Sequence, residues 1–505
     1  MMKRKLAAVM AVVMLLTMTQ TAGATGLMDR YKELLKGSGS LSLLIFKDSI
    51  WEFEEGGMVS SVDWEMLELD EESAQAYPEL AAALEEINAD RDEQCRVLSD
   101  ELTDLGLELY EEGGIAVTCS AAFHCYVQRA DQKVLSFRSD SEIYWGGMHA
   151  DYGTAGINLD PVTGGEIALS DVVTDIPAMI ALLADKLEKE YPEEDFSNLE
   201  SELLDFSEDE FEWTLGQEWI TFYFDPYVLL DYASGKATAV IRYDEAEALF
   251  NQEYLPVSRE AYAVGIPLYE EVDYDSNPAD GKTNAISLGA VMGEYDAYEH
   301  LWIMLGDEVY SEEIWAYSMQ AYLIAAGTGE ARKNFLYLET VQENDYTTLH
   351  VYDLNGDMPV KAGEMWGTGF AGSPYSGKEV FADPMSFTLE TWMEILGTRF
   401  GVREYSVDGQ TGMPVPKQEC YEIEGFGFPL TSLREMKATM LDTNVKETLP
   451  AGTEFYELRT DGESYMDFRL NDGRECRIEV DTSGYPALID GIPEDECFEG
   501  IMYAG

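Results

Sequence analysis

The six residues Tyr144-Trp145-Gly146-Gly147-Met148-His149 combine side chains suited to holding a ligand. Two large aromatics offer flat apolar faces with a hydroxyl and an N–H at their edges. Adjacent glycines let a backbone come close to whatever is held, and His149 brings a ring whose charge changes near neutral pH. The plainer alternative is a glycine bulge in a strand beside a hydrogen-bonded histidine. Tyr144, Trp145 and His149 are the candidate ligand contacts, and Gly146 and Gly147 shape the main chain between them.

No catalytic constellation competes with this stretch. The chain has no HExxH, no GxxxxGK[ST] phosphate loop, no CxxC pair and no G-x-S-x-G elbow. Its four histidines never fall within four residues of one another, which excludes a His-rich metal centre. With 98 Asp and Glu, pairs of carboxylates abound, and only their separation in space could identify a glycosidase dyad. Asp273-x-Asp275-x-Asn277 opens like a calcium loop, but an EF-hand needs Gly and Glu where Pro278 and Asn284 stand, so it reads as a solvated loop. The expectation is no catalytic residue, no metal and no cofactor, hence not an enzyme.

The elements that would position the stretch can be read from periodicity. Residues 41–54 and 115–129 alternate as strands, and the second carries Cys119 and Cys125 on one face, too far apart to bridge. Cys95 could pair with one of them, or all three are buried thiols, the preferred reading. Between the strands, Ala76, Leu80, Leu84, Ile87, Leu98, Leu102, Leu105 and Leu109 recur at threes and fours over 70–110, a helix that Gly113-Gly114 stops. Strands follow at 134–138 and 143–158, a helix at 177–191, a solvated acidic run at 193–212 and strands at 219–224 and 237–243. Residues 256–283 crowd Pro, Asp, Asn and Gly and read as a linker or long loop. Beyond it strand signals dominate: 335–340, 347–353 with the hairpin signal Asn355-Gly356, 387–396, 399–405, and short strands from 452 to 480.

Composition narrows the function. The chain has 505 residues with a formal net charge of −66, which excludes ordinary nucleic-acid binding and disfavours anionic membranes. A hydrophobic content of 46% supplies enough apolar surface for several folded domains. Lys3-Arg4-Lys5, the apolar run 6–18 and Ala22-Gly23-Ala24 have the order of a secretory signal peptide. No later stretch reaches 18 apolar residues, and the first Cys is Cys95, so neither a membrane anchor nor a lipid anchor is expected. The expected product is exported, acidic and envelope-associated.

A resemblance adds to this reading. Tyr144-x-Gly146-Gly147-x-His149, Asn158-Leu159-Asp160-x-x-Thr163-Gly164 and Leu169-x-Asp171 come in this order, followed by Trp219, Phe222, Phe224, Tyr227, Tyr232-Ala233-Ser234-Gly235 and Ile241-x-Tyr243. Over about 40–250 the chain resembles the extracellular domain of the lysozyme-binding anti-sigma-V factor and the N-terminal modules of the peptidoglycan deacetylase PdaC. It departs by having Met148 where the family usually has Ala, and it lacks the family's anti-sigma helix, membrane span and deacetylase domain, so sigma-factor control and deacetylation do not carry over. Residues 428–505, with Leu449-Pro450-Ala451-Gly452-Thr453, resemble an SH3-like barrel of bacterial wall proteins.

The expected fold class is α+β: an anti-sigma-V/PdaC-type region followed by β-rich modules ending in a small SH3-like barrel. The expected division is a signal peptide (1–24), a PdaC-type module (25–135), an anti-sigma-V-type module (136–256), a β-rich module (257–427) and the barrel (428–505). The resemblance implies a secreted binding protein for peptidoglycan, a wall glycan or a basic protein such as a lysozyme. The alternatives are a carboxylate-dependent cell-wall hydrolase and a structural or adhesive surface protein.

Overall fold

The structure, a computed structural model, describes residues 41–503 apart from 55–56, 114–117, 257–260, 276–282, 294, 296, 328–330, 374 and 424–427. The expected signal peptide lies outside the described residues, as does Asn277.

The first sheet has seven strands. β1 (Leu43–Glu54) and β2 (Gly57–Leu69) form a hairpin. β2 then pairs in parallel with β3 (Cys119–Ala130), which a crossover must permit. That crossover is helical: α1 (Glu71–Ala76), capped by Asp70, and α2 (Pro78–Gly113), with the helix broken at Tyr77 because Pro78 can start a helix but not continue one. Leu80 and Leu84 sink into one cluster against Leu67 and Phe137, while Cys95 and Leu102 join Val62, Trp64 and Cys119 in another. All six cysteines are free thiols. Antiparallel β4 (Leu135–Tyr144) and β5 (Asp151–Leu159) complete this side, so hydrogen bonding continues across residues 135 and 136. The other edge, beyond β1, is filled by β19 (Gly372–Ser373) and β20 (Gly377–Glu379), from far along the chain.

Next comes a three-stranded sheet, β6 (Glu212–Leu215), β7 (Trp219–Phe224) and β8 (Ala237–Arg242), covered by α3 (Ile176–Glu190). Met179, Ile180, Leu183 and Leu187 of α3 recur at helical spacing and bury against Phe222, Phe224 and Ile241. The acidic run holds a short helix, Leu199–Leu203, which buries Leu199 and Leu203.

The expected linker is not a loop. It contains β9 (Ala261–Ile266) and β10 (Glu271–Tyr274), each an outer strand of its own sheet. β9 pairs with β14 (Ser318–Ala326), followed by β15 (Lys333–Val341), β16 (Thr347–Asp353) and β17 (Val360–Trp366). β10 pairs with β11 (Asn284–Met292), β12 (Tyr298–Leu305) and β13 (Glu308–Ala316). Leu288, Leu301 and Ile303 of one sheet meet Leu323, Leu336 and Leu338 of the other. The opposite face of the five-stranded sheet presents Phe335, Tyr337 and Val351 to Phe370, Phe387, Leu389 and Tyr405 of β18 (Thr368–Phe370), β21 (Phe387–Glu394) and β22 (Thr398–Val407).

The C-terminal strands differ from the expected barrel. They are β throughout, but form an open path rather than a closed one: β22 pairs with 421–423, which pairs with 454–460, and the sheet continues through 465–470, 475–479 and 436–440 to 446–449. The reason is the strand Tyr421–Ile423, which joins 454–460 to β22 and makes the last segment an extension of the preceding sheet. The molecule is thus mixed α+β and rich in strands, as expected.

Candidate functional site

The stretch 144–149 is the turn between β4 and β5. Gly146 sits at φ +75°, a left-handed conformation that glycine adopts without the Cβ penalty. The turn is closed on itself: the Tyr144 hydroxyl donates to the Gly147 carbonyl at 2.9 Å and Trp145 Nε1 donates to Asp151 Oδ2 at 3.1 Å. Met148 stands fully exposed at the tip. His149 stacks on Tyr232, with ring centroids 3.9 Å apart and planes 29° from parallel. The Tyr232 hydroxyl donates to the Ala150 carbonyl at 2.8 Å, tying the loop before β8 to the turn. Tyr227 and Tyr152 lie 5.7 and 6.3 Å from Tyr232. The result is an exposed aromatic cluster in which Trp145, Tyr152 and Tyr227 all retain solvent-facing surface.

Tyr152 and Tyr232 also line a cleft of about 2040 Å³. Its walls come from β1, β3, β4, α3 and β8, from the 266–273 segment, and from β14, β15, β18, β21 and β22. None of Tyr144, Trp145, Gly146, Gly147 or His149 lines it; His149 borders it by stacking on Tyr232. Its aromatic surfaces include Trp51, Tyr269, Tyr317, Tyr375 and Trp392, and its carboxylates outnumber its lysines.

Arg138, Asp140, Lys236 and Glu270 form one network. Arg138 of β4, almost wholly buried, bonds Asp140 and Glu270 and lies 5.0 Å from the Tyr223 ring centroid. Lys236 approaches Glu270 at 3.2 Å and Asp140 at 3.8 Å. Burial pushes Glu270 up, but Arg138 and Lys236 outweigh it and hold the carboxyl below its ordinary range. Nearby, His124 Nδ1 lies 3.5 Å from Glu65 Oε1; burial opposes its charged form, yet Glu65 wins and raises its pKa. Asp273 is pushed up to about 6, first by burial and then by the like charge of Glu190, so it holds its proton closer to neutrality than an ordinary carboxyl does. Its neighbour in the calcium-like motif, Asp275, bonds Arg242. Among the described residues, no group of three His, Cys, Asp or Glu is placed to hold a metal ion.

Chemically, the cleft offers ring faces for stacking and carboxylates that accept hydrogen bonds. Sequence reasoning singled out the turn but missed most of the cleft. Tyr232 stood within the resembling Tyr232-Ala233-Ser234-Gly235 motif and could have been found there. Trp392 and Glu339 carried no local signal.

No family model matches the chain, and no curated protein matches it. Two crystal structures of proteins of the DUF3298 family are similar in part. The one from Bacteroides fragilis NCTC 9343 is 17% identical, covers 43% of this chain and 96% of its own, and has a TM-score of 0.32. The one from Pseudomonas aeruginosa PAO1 is 14% identical, covers 43% of this chain and 98% of its own, and has a TM-score of 0.29. Neither bears the anti-sigma-V or PdaC name.

Proposed function

We propose that this is an exported bacterial envelope protein that binds without catalysis, and that its ligand is a wall glycan held along the cleft. The observation that carries the reading is the lining: aromatic faces such as Trp51, Tyr269 and Trp392, together with many carboxylates, surround a space large enough for several sugar rings. Aromatic faces stack on the C–H faces of sugars, and ionised carboxylates accept two hydroxyl hydrogens at once. The resemblance of 40–250 to envelope-sensing modules supports the same setting, as does the signal-like N-terminus.

A second reading has its own support. The excess of carboxylates along the cleft and the net charge of −66 favour a basic protein such as a lysozyme. A pull-down against purified peptidoglycan and against lysozyme, at low salt and at about 0.15 M, separates the two. Retention on peptidoglycan at both salts is expected. Retention on lysozyme alone transfers the function to the basic protein, and retention on neither ends both readings.

A further inference from the structure

The bend between β9 and β10 carries a residue in a backbone conformation that its side chain disfavours. Tyr269 has a φ of +66°, in the left-handed region that bulky residues seldom enter. Such a conformation persists only where its surroundings fix it, and it clusters at ligand-holding sites. Here the fixing element is β11. The Tyr269 N–H donates to the Leu288 carbonyl at 2.7 Å. Its hydroxyl donates to the Ala290 carbonyl at 2.8 Å and accepts from the Ala290 N–H at 3.3 Å. The residue is therefore pinned at both ends, across Gly289.

Gly289 is what lets the ring lie there. A Cβ on it would fall 2.5 Å from Tyr269 Cδ1 and Cε1 and 2.6 Å from Trp302 Cζ2. Trp302 pairs with Gly289 across the sheet and meets the Tyr269 ring in a T-shaped contact, with centroids 6.2 Å apart. The ring is seated along one edge, yet Tyr269 stays 53% exposed and lines the cleft. A ring already fixed in this way has little freedom left to lose when a ligand settles on it.

The next residue supplies a hydrogen-bond acceptor. Glu270 also lines the cleft and keeps 34% of its side chain exposed. Arg138 and Lys236 hold it ionised, and its two oxygens have more acceptor positions than these cations fill. Charge then selects the ligand class. Arg138 and Lys236 beside Glu270 repel an ammonium, and Glu270 with Glu271 repels an anion, which leaves an uncharged ring bearing hydroxyls.

We infer that Tyr269 is the platform of a sugar subsite, on which an uncharged sugar ring stacks while one of its hydroxyls donates to Glu270. The inference rests on the glycan reading above and assigns the residues that read one ring of the chain.

The test is calorimetry on the full chain with the soluble β-1,4-linked N-acetylglucosamine tetramer. The same variants are compared for retention on peptidoglycan, which decides the case should the tetramer be too short to bind. Tyr269→Gly removes the platform and suits the left-handed backbone, and it is expected to weaken binding about tenfold. Tyr269→Phe keeps the ring and loses only the hydroxyl, and it is expected to stay within about threefold of wild type. Glu270→Gln, which trades one acceptor oxygen for a donor, is expected to weaken binding about threefold. Melting is followed for each variant, so that lost affinity is read from folded protein alone. Tyr269→Asn, which also tolerates the left-handed φ, replaces Tyr269→Gly should that variant fail to fold. If the wild type binds and the folded variant without the ring matches it, the platform is refuted while the glycan cleft stands. If Tyr269→Phe loses as much as Tyr269→Gly, the ring is not what holds the sugar, and the inference fails. If the wild type binds neither the tetramer nor peptidoglycan, the glycan reading falls and the subsite falls with it.

Discussion

Arg138 of β4 and Glu270 of the bend between β9 and β10 join segments that are far apart in the sequence, and Glu270 lines the cleft. Arg138 stays charged because the carboxylates of Asp140 and Glu270 flank it, and Glu270 gives up some hydration to complete that network. Glu270→Gln is expected to destabilise the protein by about 1–2 kcal/mol. That is below the cost of breaking a fully buried pair, because Glu270 keeps 34% of its side chain exposed and Asp140 remains bonded to Arg138. Because the Glu270 pKa is depressed in the fold, its contribution is present above the unfolded value of 4.5 and lost as pH falls through the folded one. Urea unfolding of wild type and variant at pH 7 and pH 3 checks this: the difference should shrink at the lower pH.

Glu379 runs the other way. Burial pushes its carboxyl up to about 8, well above the ordinary 4.5. Its Oε1 accepts from the Thr388 N–H at 3.1 Å, and Oε2 has no hydrogen-bond partner among the described residues. A raised pKa contributes stability that is fully present below 4.5 and is lost as pH rises through 8. Glu379→Gln removes the titration and keeps an oxygen for Thr388. The variant should melt about 2–4 °C above wild type at pH 8 and show a flatter dependence of melting temperature on pH. A variant that melts lower than wild type at pH 8 contradicts the assignment.

His124 offers a spectroscopic check at the cleft wall. Its side chain is 43% exposed and its proton is favoured by Glu65, so its titration midpoint should lie above 6.5. The associated stability is present at low pH and disappears as pH rises through that midpoint, with a small amplitude because solvent screens the pair. Proton NMR of the imidazole gives the midpoint directly. Glu65→Gln should bring it down, and an unchanged midpoint would remove Glu65 as the cause.

The turn at 144–149 makes its own prediction. Tyr232 supports His149 by stacking and also lines the cleft, so Tyr232→Ala should cost more peptidoglycan retention, about fivefold, than replacing His149 or Trp145 alone. Simultaneous replacement of Tyr144, Trp145 and His149 should lower retention without unfolding, since these side chains bond within the turn. Gly146→Ala should cost about 1–2 kcal/mol because of its positive φ, whereas Gly147→Ala should be neutral because nothing lies within 4 Å of the added atom. Retention that survives the triple replacement removes the turn from the binding surface.

The parts legible in the sequence were those whose signal is local. Leu80, Leu84 and Leu102 announced the long helix by spacing, and Asn355-Gly356 sits between two strands as its turn chemistry requires. The segment 256–283 misled because its glycines, prolines and acids describe turns well and partners not at all. β9 and β10 are strands only because β14 and β11 lie beside them. The open C-terminal path depends in the same way on three residues, Tyr421–Ile423, pairing on both sides. The cleft was the least legible feature. Glu339 and Lys378 meet through the stacking of sheets, and no spacing in the chain encodes that meeting.

The β19–β20 hairpin has a consequence in time. Because Leu44 and Ile45 of β1 hydrogen-bond with Glu379 and Lys378, the border of the first sheet waits for chain that is made much later. A ribosome, or a channel passing the chain N-terminus first, delivers β1 with a bare row of amides and carbonyls and no strand to cover them. Fragments ending before residue 372 should therefore associate through β1 and resist isolation as monomers. The sheet that carries the aromatic turn is thus completed only once the chain has been made as far as residue 379.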